Sequence, residues 1–74
     1  MKKNIDITAD HCPMTFVKTK LELERLAPGD QLEVLLTGQE PLENVPRSAV
    51  EAGYRVLAVT PAGDGRHTVL IEKP

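Results

Sequence analysis

Tryptophan is absent, and Phe16 and Tyr54 are the only aromatic residues among 74. Stacking platforms for single-stranded nucleic acid are therefore nearly missing, and a core has to be built from Leu, Val and Ile. There is one cysteine, Cys12, so no internal disulfide can form. No apolar run approaches the roughly 20 residues that span a bilayer, and the opening MKKNIDI leads into no apolar stretch of signal-peptide length. Positive charge is not in excess either. The formal net charge of −2 gives no general affinity for a phosphate backbone. These absences predict a soluble protein of a reducing cytoplasm in which Cys12 stays a thiol, with no direct nucleic-acid partner and no membrane partner.

Apolar residues make up 41% and charged residues 27% of the chain, a balance that sets disorder aside. A chain this short buries only about 60% of the surface its unfolded form exposes. It forms one domain over residues 1–74, with little room for an enclosed substrate cavity. A small domain that does chemistry is expected to hold a group at its surface for a partner to reach, and the chain is expected to be a monomer.

Lys3 to Thr8 alternates polar and apolar side chains around Ile5 and Ile7, the period of a half-buried strand. From Pro13 to about Leu26 there is no Gly and no internal Pro, and helix formers dominate the later part. Phe16, Leu23, Leu26 and Ala27 share one face, expected against the sheet. Met14, Val17 and Leu21 lie on a second flank, either core edge or a docking surface near Cys12. Pro28, Gly29 and Asp30 stop the helix. Gln31 to Thr37 reads as a covered strand and Gly38 to Glu43 as a loop.

Asn44 is the expected cap of a second helix, with Pro46 in its first turn and Gly53 past its end. Tyr54 to Pro61 and Arg66 to Lys73 are strands joined by a turn at Ala62 to Gly65. The order strand, helix, strand, helix, strand, strand predicts an α+β two-layer sandwich, with two helices on one face of a mixed four-stranded sheet.

With Pro13 as the first helical residue, Cys12 takes the cap position, where Ser, Thr, Asp and Asn are usual. A thiolate there faces unpaired backbone N–H groups and the positive end of the helix dipole. That effect, about 0.3 to 2 kcal/mol, lowers a thiol pKa modestly and makes a usable nucleophile rather than a permanent anion. His11, Lys18, Lys20 and Arg47 are the candidate cations nearby, with Lys18, more than one turn beyond the cap, better suited to attracting an acidic partner. Spacing alone leaves two readings of Cys12 open: a small buried apolar side chain, or a thiol exposed at a loop-to-helix junction beside polar Asp10 and His11. Asp10, His11, Cys12 and His67 could in principle ligate a metal, but they lack metal-ligand spacing, and no metal site is expected.

The chain resembles the TusA/SirA family of small sulfur-carrier proteins along nearly its whole length. The resemblance rests on Asp6 six residues before the cysteine, Cys12-Pro13 opening the helix, the KTK run Lys18 to Lys20 followed by Leu23, LAPGDQLEV at Leu26 to Val34, and NVPRSAVEAGY at Asn44 to Tyr54. Thr15 replaces the second proline of the family's C-P-x-P, and Asn44 and Gly53-Tyr54 replace an aspartate and a Gly-His. The resemblance implies that Cys12 accepts a terminal sulfur from a cysteine desulfurase or rhodanese-like donor, carries it as a persulfide and yields it to an acceptor protein. It implies no cofactor beyond that transient persulfide. Pro13 would set the backbone, with Asp10, His11, Lys18, Lys20 and Arg47 assisting docking. Family uses include tRNA thiolation, molybdenum-cofactor biosynthesis and sulfur oxidation. Two other readings compete: a non-catalytic interaction or regulatory module with a structural Cys12, and an RNA-binding domain by analogy of fold alone.

Overall fold

The computed structural model describes residues 2–9 and 14–74, with the backbone only at Met14. Six elements follow in order: β1 (Lys2–Asp6), α1 (Met14–Arg25), β2 (Gln31–Thr37), α2 (Gln39–Glu51), β3 (Arg55–Gly63) and β4 (Arg66–Glu72). The expected two helices and mixed four-stranded sheet are present. The strand order is β1-β2-β4-β3, with β1 parallel to β2 and β4 antiparallel to both its neighbours.

Alternation along β2 separates the two faces. Leu32, Val34 and Leu36 are fully buried while Gln31, Glu33, Leu35 and Thr37 are only half-buried. Val69 and Ile71 lie opposite Val34 and Leu32 on the buried face, and Ile7, Leu23, Val45 and Ala49 complete the core. The aliphatic core foreseen from the scarcity of aromatics is the one observed: Tyr54 packs only at its margin.

Four local readings are corrected. β1 starts one residue earlier and ends at Asp6. Ile7 still donates to the Leu35 carbonyl at 2.9 Å, but the Asp6 carboxylate then accepts from the Thr8 amide at 2.8 Å and turns the chain. Ala27 is exposed and off the helix face, because α1 stops at Arg25 and the Asp30 amide closes a turn onto the Ala27 carbonyl at 3.0 Å. Asn44 caps nothing. The second helix begins at Gln39 with Gly38 as its N-cap, so Asn44 sits inside it and its Oδ1 accepts from Arg47 Nη2 at 2.8 Å. The first turn instead contains Pro41, which lacks only an N–H that a first turn leaves unpaired; Pro46 falls within the helix.

The last turn is also tighter than expected. β3 runs to Gly63, and only Asp64 and Gly65 connect it to β4, with φ of 52° and 74°. Two positive φ values in a two-residue loop give the primed hairpin turn that follows the right-handed twist of its strands.

Candidate functional site

The direction of α1 follows from one ion pair. Lys3, near the start of β1, holds Glu22, near the end of α1, with Nζ and Oε2 2.5 Å apart. The helix therefore runs back along β1, and its first turn lies toward the end where β1 and β2 finish. Both helices begin at that end of the sheet. Cys12 stands two positions before Met14, the first described residue of α1.

Asp10, His11, Cys12 and Pro13 lie outside the described residues, and so does the expected capping arrangement. Lys18, Lys20 and Arg47 are described and all three are exposed. Lys18 lines a groove between β1 and α1 with Ile5, Ile7 and Leu21. Lys20, two positions on and about 200° round the helix, faces elsewhere. Arg47 stands on α2 and donates to Asn44. Lys18 and Lys20 thus stand on α1 and Arg47 on α2.

Of the second flank of α1, Val17 is 39% and Leu21 52% exposed. Exposure of these two is one of the two readings; the Met14 side chain and the neighbourhood of Cys12 lie outside the described residues. The face of α1 turned inward carries two residues the apolar pattern did not select. Thr15 and Thr19 are buried, and the Thr19 hydroxyl donates to the Thr15 carbonyl at 2.8 Å. Phe16, expected there, is only half-buried. Thr15 occupies the second position of α1, so a helix forms without the family's second proline.

Asp6 is fixed beside this end of the sheet. Its carboxyl is held below the ordinary 3.8, first by the Thr8 hydroxyl donating at 2.7 Å, then by the Thr8 amide, with the field of Arg66 adding to both. The same aspartate carries part of the sequence resemblance, and its visible work is to turn the chain out of β1. His67 pairs with Leu36 and Pro61 across the sheet, and its Nδ1 is buried without a hydrogen-bond partner among the described residues. It was noted in the sequence only as a remote possible ligand, and nothing there marked its place at the far end of β2.

Residues 3–73 match the family described as Sulfurtransferase TusA. The chain belongs to that family. It is similar to a protein of Archaeoglobus fulgidus named "Putative sulfur carrier protein", with 38% identity over 93% of this chain and 78% of the relative. A Methanocaldococcus jannaschii protein of the same description is also 38% identical, over 96% of this chain and 93% of its own length. Among solved structures, the SirA-like protein of Desulfitobacterium hafniense superposes with a TM-score of 0.84 over 95% of both chains at 24% identity, which establishes the shared fold. Membership of a sulfurtransferase family implies protein partners that donate and accept sulfur. Among the described residues no helix is long and apolar enough to cross a membrane.

Proposed function

We propose that Cys12 carries sulfur between two proteins as a persulfide. The Cys12 thiolate attacks the terminal sulfur of a donor's cysteine persulfide. A new S–S bond forms at Cys12, the donor's S–S bond breaks, and the donor leaves as a thiolate. Attack by an acceptor thiolate on the terminal sulfur repeats the exchange in the other direction. No net oxidation or reduction occurs, and no resident cofactor takes part. The cytoplasm, where a single thiol stays reduced, is the proposed setting.

The observation that supports this reading is a family match spanning residues 3–73, joined to a Cys12-Pro13 pair two residues ahead of the first described turn of α1. Backbone N–H groups at such a start stabilise the attacking and leaving forms of the sulfur alike. Pro13 limits the backbone beside it, and Asp10, His11, Lys18, Lys20 and Arg47 are the proposed docking residues.

Incubation with a cysteine desulfurase and free cysteine, followed by intact-mass analysis, tests the proposal. The expected product is heavier by one sulfur atom, the adduct is lost on reduction, and Cys12→Ser remains unmodified. Labelled sulfur retained covalently by Cys12→Ser would overturn it.

A further inference from the structure

The strand β1 forms one edge of the sheet, paired with β2 along one side only among the described residues. In a parallel ladder, alternate residues turn their N–H and C=O groups toward the neighbour. Ile7 donates to Leu35, so Lys3 and Ile5 also point toward β2. Lys2, Asn4 and Asp6 therefore direct their backbone groups outward, and their side chains share the open face of the sheet with Gln31, Glu33 and Leu35. All three are exposed. Along this outward row the charges read positive, neutral, negative.

We infer that β1 pairs antiparallel with β1 of a second copy of this chain, centred on Asn4. In that register Asn4 faces Asn4 as a hydrogen-bonded pair, Lys2 faces Asp6 of the second copy, and Asp6 faces its Lys2. Only residues whose backbone groups already point outward are used. Slipping the pairing by two residues leaves Lys2 or Asp6 opposite Asn4 with no opposite-charge pair, and slipping it by four sets Lys2 against Lys2 or Asp6 against Asp6, where like charges directly opposite are unfavourable. Of the five registers that the outward row offers, only the one centred on Asn4 forms opposite-charge pairs.

The side chains are placed to take part. Both Thr8 bonds to Asp6 end on Oδ1, so neither engages the other carboxylate oxygen. Lys2 meets Glu33 at 3.3 Å but keeps half its side chain exposed, and an ammonium has three N–H donors. On the helix face, Lys3 of the second copy stands opposite Ile5, at the groove of about 440 Å³ between β1 and α1. Its methylene stem covers that apolar floor. The match between copies is isologous, so it closes at two and does not propagate.

A strand of five residues makes a short seam. The dimer is concentration-dependent, and the monomer expected from the sequence is its dilute form. In the joined eight-stranded sheet the two β1 strands point in opposite directions. The ends at which α1 begins are therefore carried to opposite sides of the dimer, each open to a separate partner.

Sedimentation velocity over a range from micromolar to millimolar chain tests the inference. The wild type is expected to shift from monomer to dimer. Lys2→Glu, which sets two pairs of like charges across the seam, should weaken association about tenfold. A mixture of Lys2→Glu with Asp6→Lys restores both opposite-charge pairs and should dimerise where neither does alone. Because Asp6→Lys also removes the Thr8 bonds, Asn4→Pro provides a second route: it deletes an outward N–H that β2 does not use, and should abolish dimerisation with circular dichroism unchanged. A wild type that is monomeric throughout, or a dimer that survives Asn4→Pro, overturns the inference.

Discussion

Thr19 donates its hydroxyl to the carbonyl of Thr15 one turn earlier, on a face of α1 from which water is excluded. A buried hydroxyl left without a partner would be destabilising, and this bond supplies one within the helix. Thr19→Val keeps the shape and β-branching while removing the donor, and the Thr15 carbonyl retains the backbone bond from Thr19. A loss within about 1 kcal/mol is expected, measured by urea unfolding. Thr19→Ala also leaves a void and should be the more harmful of the two.

Glu22 is held below its ordinary value of 4.5, first by the hydrogen bond from Lys3 and further by the fields of Lys3 and Arg25. Asp6 is held below 3.8 by Thr8. A carboxyl whose folded pKa is depressed binds fewer protons folded than unfolded. Its contribution is therefore present above the unfolded value and is lost as pH falls through the folded one. Stability should be flat from pH 7 to about 5.5 and decline below pH 4.5. Glu22→Gln should shallow that decline in unfolding curves collected from pH 7 to 3. An unchanged slope would remove Glu22 from the account.

Gly38 takes φ of 92° and ψ of 158° as it leads into α2, a region open essentially to glycine alone. Space is not the obstacle, since an added Cβ would lie 3.7 Å from Pro41 Cδ. Gly38→Ala should lose about 1 to 3 kcal/mol through the backbone. Gly38→Ser should do no better in the same thermal or urea measurement, although serine is a favoured cap elsewhere.

Pro46 sits inside α2, where proline removes an N–H and crowds the carbonyl four residues back. Pro46→Ala should therefore raise stability, by up to about 3 kcal/mol less the entropy that proline removes from the unfolded chain. The midpoint of urea unfolding checks this. A less stable variant would mean that the half-buried ring contributes more by packing than it disturbs.

Much of this architecture was legible in the chain because two periodicities dominate it. Gln31 to Thr37 alternates in burial as a strand under helices must, and the Asp64-Gly65 pair carries the chemistry of a two-residue turn. The start of α2 was misread for a physical reason: Asn44 is a good cap by side chain, but a cap is defined by the backbone, and Gly38 supplies that conformation six residues earlier. The inward face of α1 was misread because threonine looks polar in a sequence, whereas Thr15 and Thr19 are both buried and the Thr19 hydroxyl finds its partner one turn back, at the Thr15 carbonyl. At the site itself, Cys12-Pro13 was the legible part. The distribution of Lys18, Lys20 and Arg47 over two helices depends on how α1 and α2 pack, which no local pattern encodes.

The final strand lies second from one edge, between β2 and β3, and joins strands that do not pair with each other. Severing the backbone at the Asp64-Gly65 turn would release β4 alone and leave a fragment in which β1-β2 and β3, still joined through α2, are divided by a strand-wide gap. Completion of this sheet therefore waits for the closing hairpin, since β4 alone links β2 to β3 in one ladder.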